Sequence, residues 1–174
     1  SYVDLFVYSD IDLIRALTLA EERLHMKPGK GSSRTEEQEK WKLDRLYEVG
    51  LNKKLGITTY TFYESDVMLN ITFKQEKANG YWVPLTNAAD VLMSFDMSIV
   101  MQGYDIASRT MFDLRPVDVP AKTAVPNPLR KMDTMMWTVA KWVRQFDRVV
   151  KYYGRGFDTR PMARAYVDMI DRCL

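Results

Sequence analysis

The sequence predicts an α/β fold of the α+β kind, a mixed and largely antiparallel sheet with helices packed against it, and three observations carry that prediction. The chain opens on a run with strand character. Its middle holds two β-branched and aromatic runs separated by a hairpin's length, and its last third repeats apolar residues at helical spacing.

Taken in order, Tyr2 to Tyr8 reads as a strand, and Asp10 to Leu24 places apolar residues at helical spacing behind a cap at Ser9 or Asp10. Lys27 to Arg34 mixes proline, small residues and charges, which predicts a surface loop, and a second helix is expected from Thr35 or Glu36 to about Asn52. Ile57–Tyr63 and Val67–Phe73 are expected to pair as antiparallel strands across the Glu64-Ser65-Asp66 stretch. Asn79-Gly80 marks a turn, Asn87–Met93 a short helix, and Phe95–Met101 a further strand ending at Gly103. Phe112–Leu114 is expected as an edge strand. The four prolines between Arg115 and Pro128 predict an irregular segment wandering over the surface. A helix is expected over Met132–Tyr153, closed by Gly154, and a last one over Pro161–Arg172 with proline in its first turn.

At 174 residues and 47% hydrophobic content, one domain spanning 1–174 is the expectation. Lys and Arg number 25 against 23 Asp and Glu, so any electrostatic signal is local. Cys173 is the single cysteine, which excludes an internal disulfide and suits a reducing compartment. The chain has no apolar run of the ~18 residues a membrane helix needs and no leader-like start. A cytoplasmic protein with no membrane partner is therefore expected. A strand beginning at the first residues, with nothing before it, points to an upstream segment.

Four stretches carry a resemblance: Val3-Asp4-Leu5-Phe6-Val7, Leu69-Asn70-Ile71-Thr72-Phe73, Ser94-Phe95-Asp96-Met97-Ser98-Ile99-Val100, and Lys151-Tyr152-Tyr153-Gly154-Arg155-Gly156-Phe157. In this order they resemble a phage and large-virus family of nucleotidyltransferase-like proteins. The resemblance implies a minimal nucleotidyltransferase core in which a nucleoside monophosphate passes from a nucleoside triphosphate to a hydroxyl, on RNA, on a protein or on a small molecule. It further implies that Asp4 and Asp96 are catalytic carboxylates on neighbouring strands holding Mg²⁺, whose preference for oxygen ligands such a pair meets. The host cytoplasm would be the location of a phage-encoded protein.

The sequence departs from the family's pattern at two points. Tyr2 stands where a further carboxylate is expected, and a neutral phenol is a poor ligand for a hard dication. The phosphate-holding turn that precedes the first strand in the family is not in this chain. A second reading therefore stands beside the first: a catalytically inactive module of the same fold that binds a partner or serves assembly, through its basic helix or its proline-rich segment.

Asp10 and Asp12 repeat the alternating acidic pattern, but at the start of a helix, where capping and the helix dipole account for them. Lys141, Arg144, Arg148, Lys151 and Arg155 follow one helical face and are the candidate nucleotide- or phosphate-binding set, with a solvated outer face as the plainer reading. Trp137, Trp142, Tyr152, Tyr153 and Phe157 fit a packed core better than a base-stacking platform. The glycine-containing Lys27–Arg34 loop lacks the spacing of a phosphate-binding loop, and His25 has no partner arranged for nucleophilic or zinc chemistry.

Overall fold

The computed structural model describes residues 2–28, 56–132, 134–135 and 137–173, so the helix expected over 35–52 and most of the Lys27–Arg34 loop lie outside the described residues. The fold class is the expected one, helices with mixed and antiparallel sheets. Where the sequence predicts one domain, the chain divides into two compact units, Ser1–Asn87 and Ala88–Leu174, each enclosing an apolar core of its own.

In the first unit, strand β1 (Tyr2–Val7) leads into helix α1 (Asp10–Thr18), where the Ser9 hydroxyl accepts from the Asp12 backbone N–H at 3.1 Å. A wider π-helical turn, Leu19–Arg23, prolongs α1. It stops where His25 takes a left-handed conformation, φ 51°, and Met26 N–H bonds back to the Ala20 carbonyl. Strands β2 (Lys27–Pro28), β3 (Ile57–Glu64), β4 (Val67–Ala78) and β5 (Tyr81–Pro84) complete the unit. The order is β1-β4-β3-β2, with β5 folded back on the far half of β4. Among the described strands of this unit β1–β4 is parallel and the other pairings are antiparallel, including the expected β3–β4 hairpin.

Register sorts the side chains. Leu5 opposes Ile71 and Val7 opposes Phe73, while Tyr60 and Phe62 oppose Ile71 and Leu69. Alternation sends all of these to one face, where Leu13, Leu17 and Ala20 of α1 and its extension complete a buried core. The opposite face takes Asp4, Asn70, Thr59, Thr61 and Thr72.

The second unit holds α2 (Ala88–Met93), a 3₁₀ turn (Ser98–Val100), the hairpin β6 (Gln102–Asp105) and β7 (Thr110–Asp113), and the helices α3 (Val139–Gly154) and α4 (Arg160–Cys173). Two expectations are corrected. Phe95–Met101 is not a strand: its extended pairing stops at a single antiparallel bridge between Met97 and Pro126, where Ser98 N–H bonds the Val125 carbonyl and Asn127 N–H bonds the Asp96 carbonyl, both at 3.0 Å, and the chain then coils into the 3₁₀ turn. Nor does the proline-rich segment wander over the surface, since Asp118, Ala124 and Asn127 within it are buried. Asn127 is the fastener. Its Nδ2 donates to the Met93 and Phe95 carbonyls at 2.7 and 2.8 Å. Met97, Ile99, Ala124, Val149, Met162 and Tyr166 form the core.

α3 begins later than the apolar pattern suggests because Thr138 caps it, its hydroxyl accepting from Lys141 N–H at 3.2 Å. Among the described residues no helix is long and apolar enough to cross a membrane.

Candidate functional site

Asp4 sits on the face of β1 turned away from α1, exposed, and its Oδ1 accepts from Asn70 Nδ2 at 2.8 Å. Asn70 Oδ1 in turn accepts from the Thr61 hydroxyl at 2.9 Å, and one rung along Thr59 and Thr72 place their hydroxyls 3.1 Å apart. The result is a polar ladder across three strands of the first unit, built by the alternation that sends the aliphatic residues the other way.

Asp96 belongs to the second unit and to a turn, so the pair of facing strands implied by the resemblance is not formed. Its carboxylate meets the inner face of α3. Arg148 Nε donates to Oδ2 at 3.1 Å and Nη2 to Oδ1 at 3.0 Å, a two-pronged ion pair. Gln145, one turn earlier on the helix, is buried. In the amide orientation that satisfies all its partners, its nitrogen donates to Asp96 Oδ2 at 2.6 Å and to the Tyr166 hydroxyl at 3.1 Å, and its oxygen accepts from Lys141 Nζ at 3.1 Å.

The electrostatics follow from this enclosure. Burial pushes Lys141 below its ordinary value, partly offset by Asp96. Burial pushes the Tyr166 phenol up, and the Asp96 charge adds to that. Burial opposes the Arg148 charge, but Asp96 outweighs it and holds the guanidinium above its usual value. Tyr166 also anchors an aromatic cluster, its ring centroid 5.9 Å from Trp142 and 5.7 Å from Phe146, with Trp137 and Trp142 at 4.7 Å. Trp137, Trp142, Tyr152 and Phe157 are thus packing residues, as expected, while Tyr153 is exposed.

The basic stripe splits. Lys141 and Arg148 turn inward to the Asp96 network, whereas Arg144, Lys151 and Arg155 remain exposed. Arg148, Lys151 and Arg155 gather around the Tyr152 ring, 5.8, 5.8 and 5.2 Å from its centroid, at the carbonyl end of α3, where positive charge is favoured.

A Mg²⁺ ion calls for several converging oxygen ligands of net negative charge. Asp96 instead has both oxygens engaged by donors and a second cation, Lys141, close by through Gln145. Asp4 carries an amide partner, and among the described residues no three His, Cys, Asp or Glu side chains cluster as ligands. These surroundings do not suit the ion. Asp10 and Asp12 lie in the capped first turn of α1, with Asp12 3.7 Å from Arg15. His25 serves as a helix-end residue and Cys173 is exposed near the end of α4.

Sequence reasoning missed Gln145, Tyr166 and Asn127. Gln145 had left a signal: it is the polar residue between Trp142, Phe146 and Val149 on the apolar arc of α3. Comparisons with protein-family models, with curated proteins and with solved structures find no match to this chain.

Proposed function

We propose that this chain is a non-catalytic binding or assembly module rather than a working nucleotidyltransferase. One observation carries the reading: the carboxylate that the resemblance makes catalytic, Asp96, is neutralised by the paired guanidinium of Arg148 and bonded to the buried amide of Gln145. A triphosphate-bound Mg²⁺ would have to displace that guanidinium and sit beside two cations, at a cost set by the loss of a part-buried, hydrogen-bonded pair. In this reading the network's work is structural. It fixes α3 on the Asp96 turn, so that the opposite side of the helix is presented to a partner on a rigid base.

The test is a thermal-shift titration with each of the four nucleoside triphosphates and Mg²⁺, together with an assay of pyrophosphate release. Unchanged melting temperatures and no release are expected. A Mg²⁺-dependent stabilisation of several degrees that Asp4→Asn removes, or any release above buffer, would restore the enzymatic reading with Asp4, Mg²⁺, nucleoside triphosphate and an RNA or protein acceptor as its parts.

A further inference from the structure

The side of α3 turned away from Asp96 carries a regular apolar line. Val139, Val143, Phe146, Val150 and Tyr153 follow one another in steps of four, three, four and three residues. That is the spacing of a coiled-coil seam, which keeps one helix face against a partner helix. Phe146 is half-buried against the unit's own core. The other four are open: Val139 is 80% exposed, Val143 54%, Val150 68% and Tyr153 71%. Beside the seam, Val139, Val143 and Phe146 share a groove of about 500 Å³ with Ile170 and Cys173 of α4. Solvated outer faces of helices are ordinarily charged, and a line of this length, about 21 Å at 1.5 Å per residue, marks an interaction surface.

We propose that this seam is where a second copy of the chain docks, α3 lying antiparallel to α3 of its partner about a two-fold axis near Phe146. The proposal rests on the binding-module reading and names the partner. Two features favour a second copy over an unrelated helix. The alternating steps read the same in either direction apart from their phase, so the seam complements itself when reversed. Flanking it on one side are Arg144 and Asp147, three residues apart around its centre, and among the described residues neither side chain has an ionic partner. An antiparallel two-fold keeps that flank on the same side in both copies and sets Arg144 of each opposite Asp147 of the other, giving two symmetric ion pairs. Each copy contributes roughly 400–500 Å² of apolar surface, so the pair buries close to ~1,000 Å², where specific interfaces begin. The dimer is accordingly a concentration-dependent one.

Sedimentation velocity of the full chain from about 1 to 300 µM tests this. A monomer–dimer equilibrium in the micromolar range is expected. Val143→Asp with Val150→Asp should weaken it at least tenfold, with far-UV circular dichroism and the melting curve showing the chain still folded, since both side chains are exposed. Arg144→Glu and Asp147→Arg should each weaken the dimer, and the double reversal should bring it back. A monomer at every concentration, a dimer indifferent to the valine changes, or a double reversal that fails to restore would each overturn the proposal. None of these outcomes touches the nucleotide titration, so the failure of this pairing and the failure of the binding-module reading are separable.

Discussion

Arg148 holds Asp96 by two parallel hydrogen bonds, Nε to Oδ2 and Nη2 to Oδ1, across 52 positions of sequence. The pair is part-buried, with 19% of the Asp96 side chain and 35% of the Arg148 side chain left accessible, which puts its worth between that of a surface bridge and a core one. In a double-mutant cycle with Asp96→Asn and Arg148→Met, each single change should destabilise the chain by about 1–3 kcal/mol and the coupling should exceed about 1 kcal/mol. Urea unfolding measures this. Additive losses would mean that the two groups do not stabilise one another.

Asn127 offers a sharper contrast. Its amide nitrogen faces two carbonyl oxygens, so Asn127→Ala leaves two part-buried acceptors unmatched and should cost about 1–3 kcal/mol. Asn127→Asp keeps the shape but turns oxygen towards oxygen, and should cost more than alanine at neutral pH. The same urea curves read both variants. An aspartate better tolerated than alanine would contradict the assigned contacts.

The β4–β5 turn separates two kinds of positive φ. Gly80 has φ 82° with open space where a Cβ would stand, so Gly80→Ala should cost about 1 kcal/mol through backbone conformation alone. Asn79, at φ 50°, is a residue that tolerates the left-handed region, and Asn79→Gly should change stability by less than about 0.5 kcal/mol. Thermal melts of the two variants give the comparison.

Tyr166 sets a limb of the alkaline profile. Its phenol is held above the ordinary value of 10, first by burial and then by Asp96. The folded chain keeps this proton where the unfolded chain has lost it. The contribution is therefore complete below pH 10 and fades as pH climbs through the folded value. Lys141 is shifted down and has the opposite sign, with stability rising as pH approaches its unfolded value of 10.5. Stability against pH measured on Tyr166→Phe should lack the phenol's loss and keep only the lysine's gain. A variant that falls as steeply as the parent above pH 10 would remove Tyr166 from this role.

In the first unit the elements that were legible in the sequence are those whose signals are local. Alternation marked β3 and β4, the Asn79-Gly80 pair marked the turn, and Ser9 marked the start of α1. The second unit was harder for a physical reason. Phe95–Val100 has strand composition, yet its hydrogen-bond partners, Val125 and Asn127, lie far along the chain in a segment whose prolines suggested exposure. Long-range partners of that kind leave no periodic trace. The basic residues of α3 were found, but composition could not tell that Lys141 and Arg148 face Asp96 while Arg144 faces solvent; that depends on the position of Gln145 within the apolar arc.

The parallel pairing of β1 with β4 bears on how the molecule comes into being. Asp4 and Asn70 are 66 positions apart, while the β3–β4 hairpin closes over two turn residues. Entropy makes the short closure fast and the long one slow. Closure entropy therefore favours the hairpin as the template on which β1 docks. Bulk attached ahead of Tyr2 would then burden the docking of β1 rather than the closing of the hairpin.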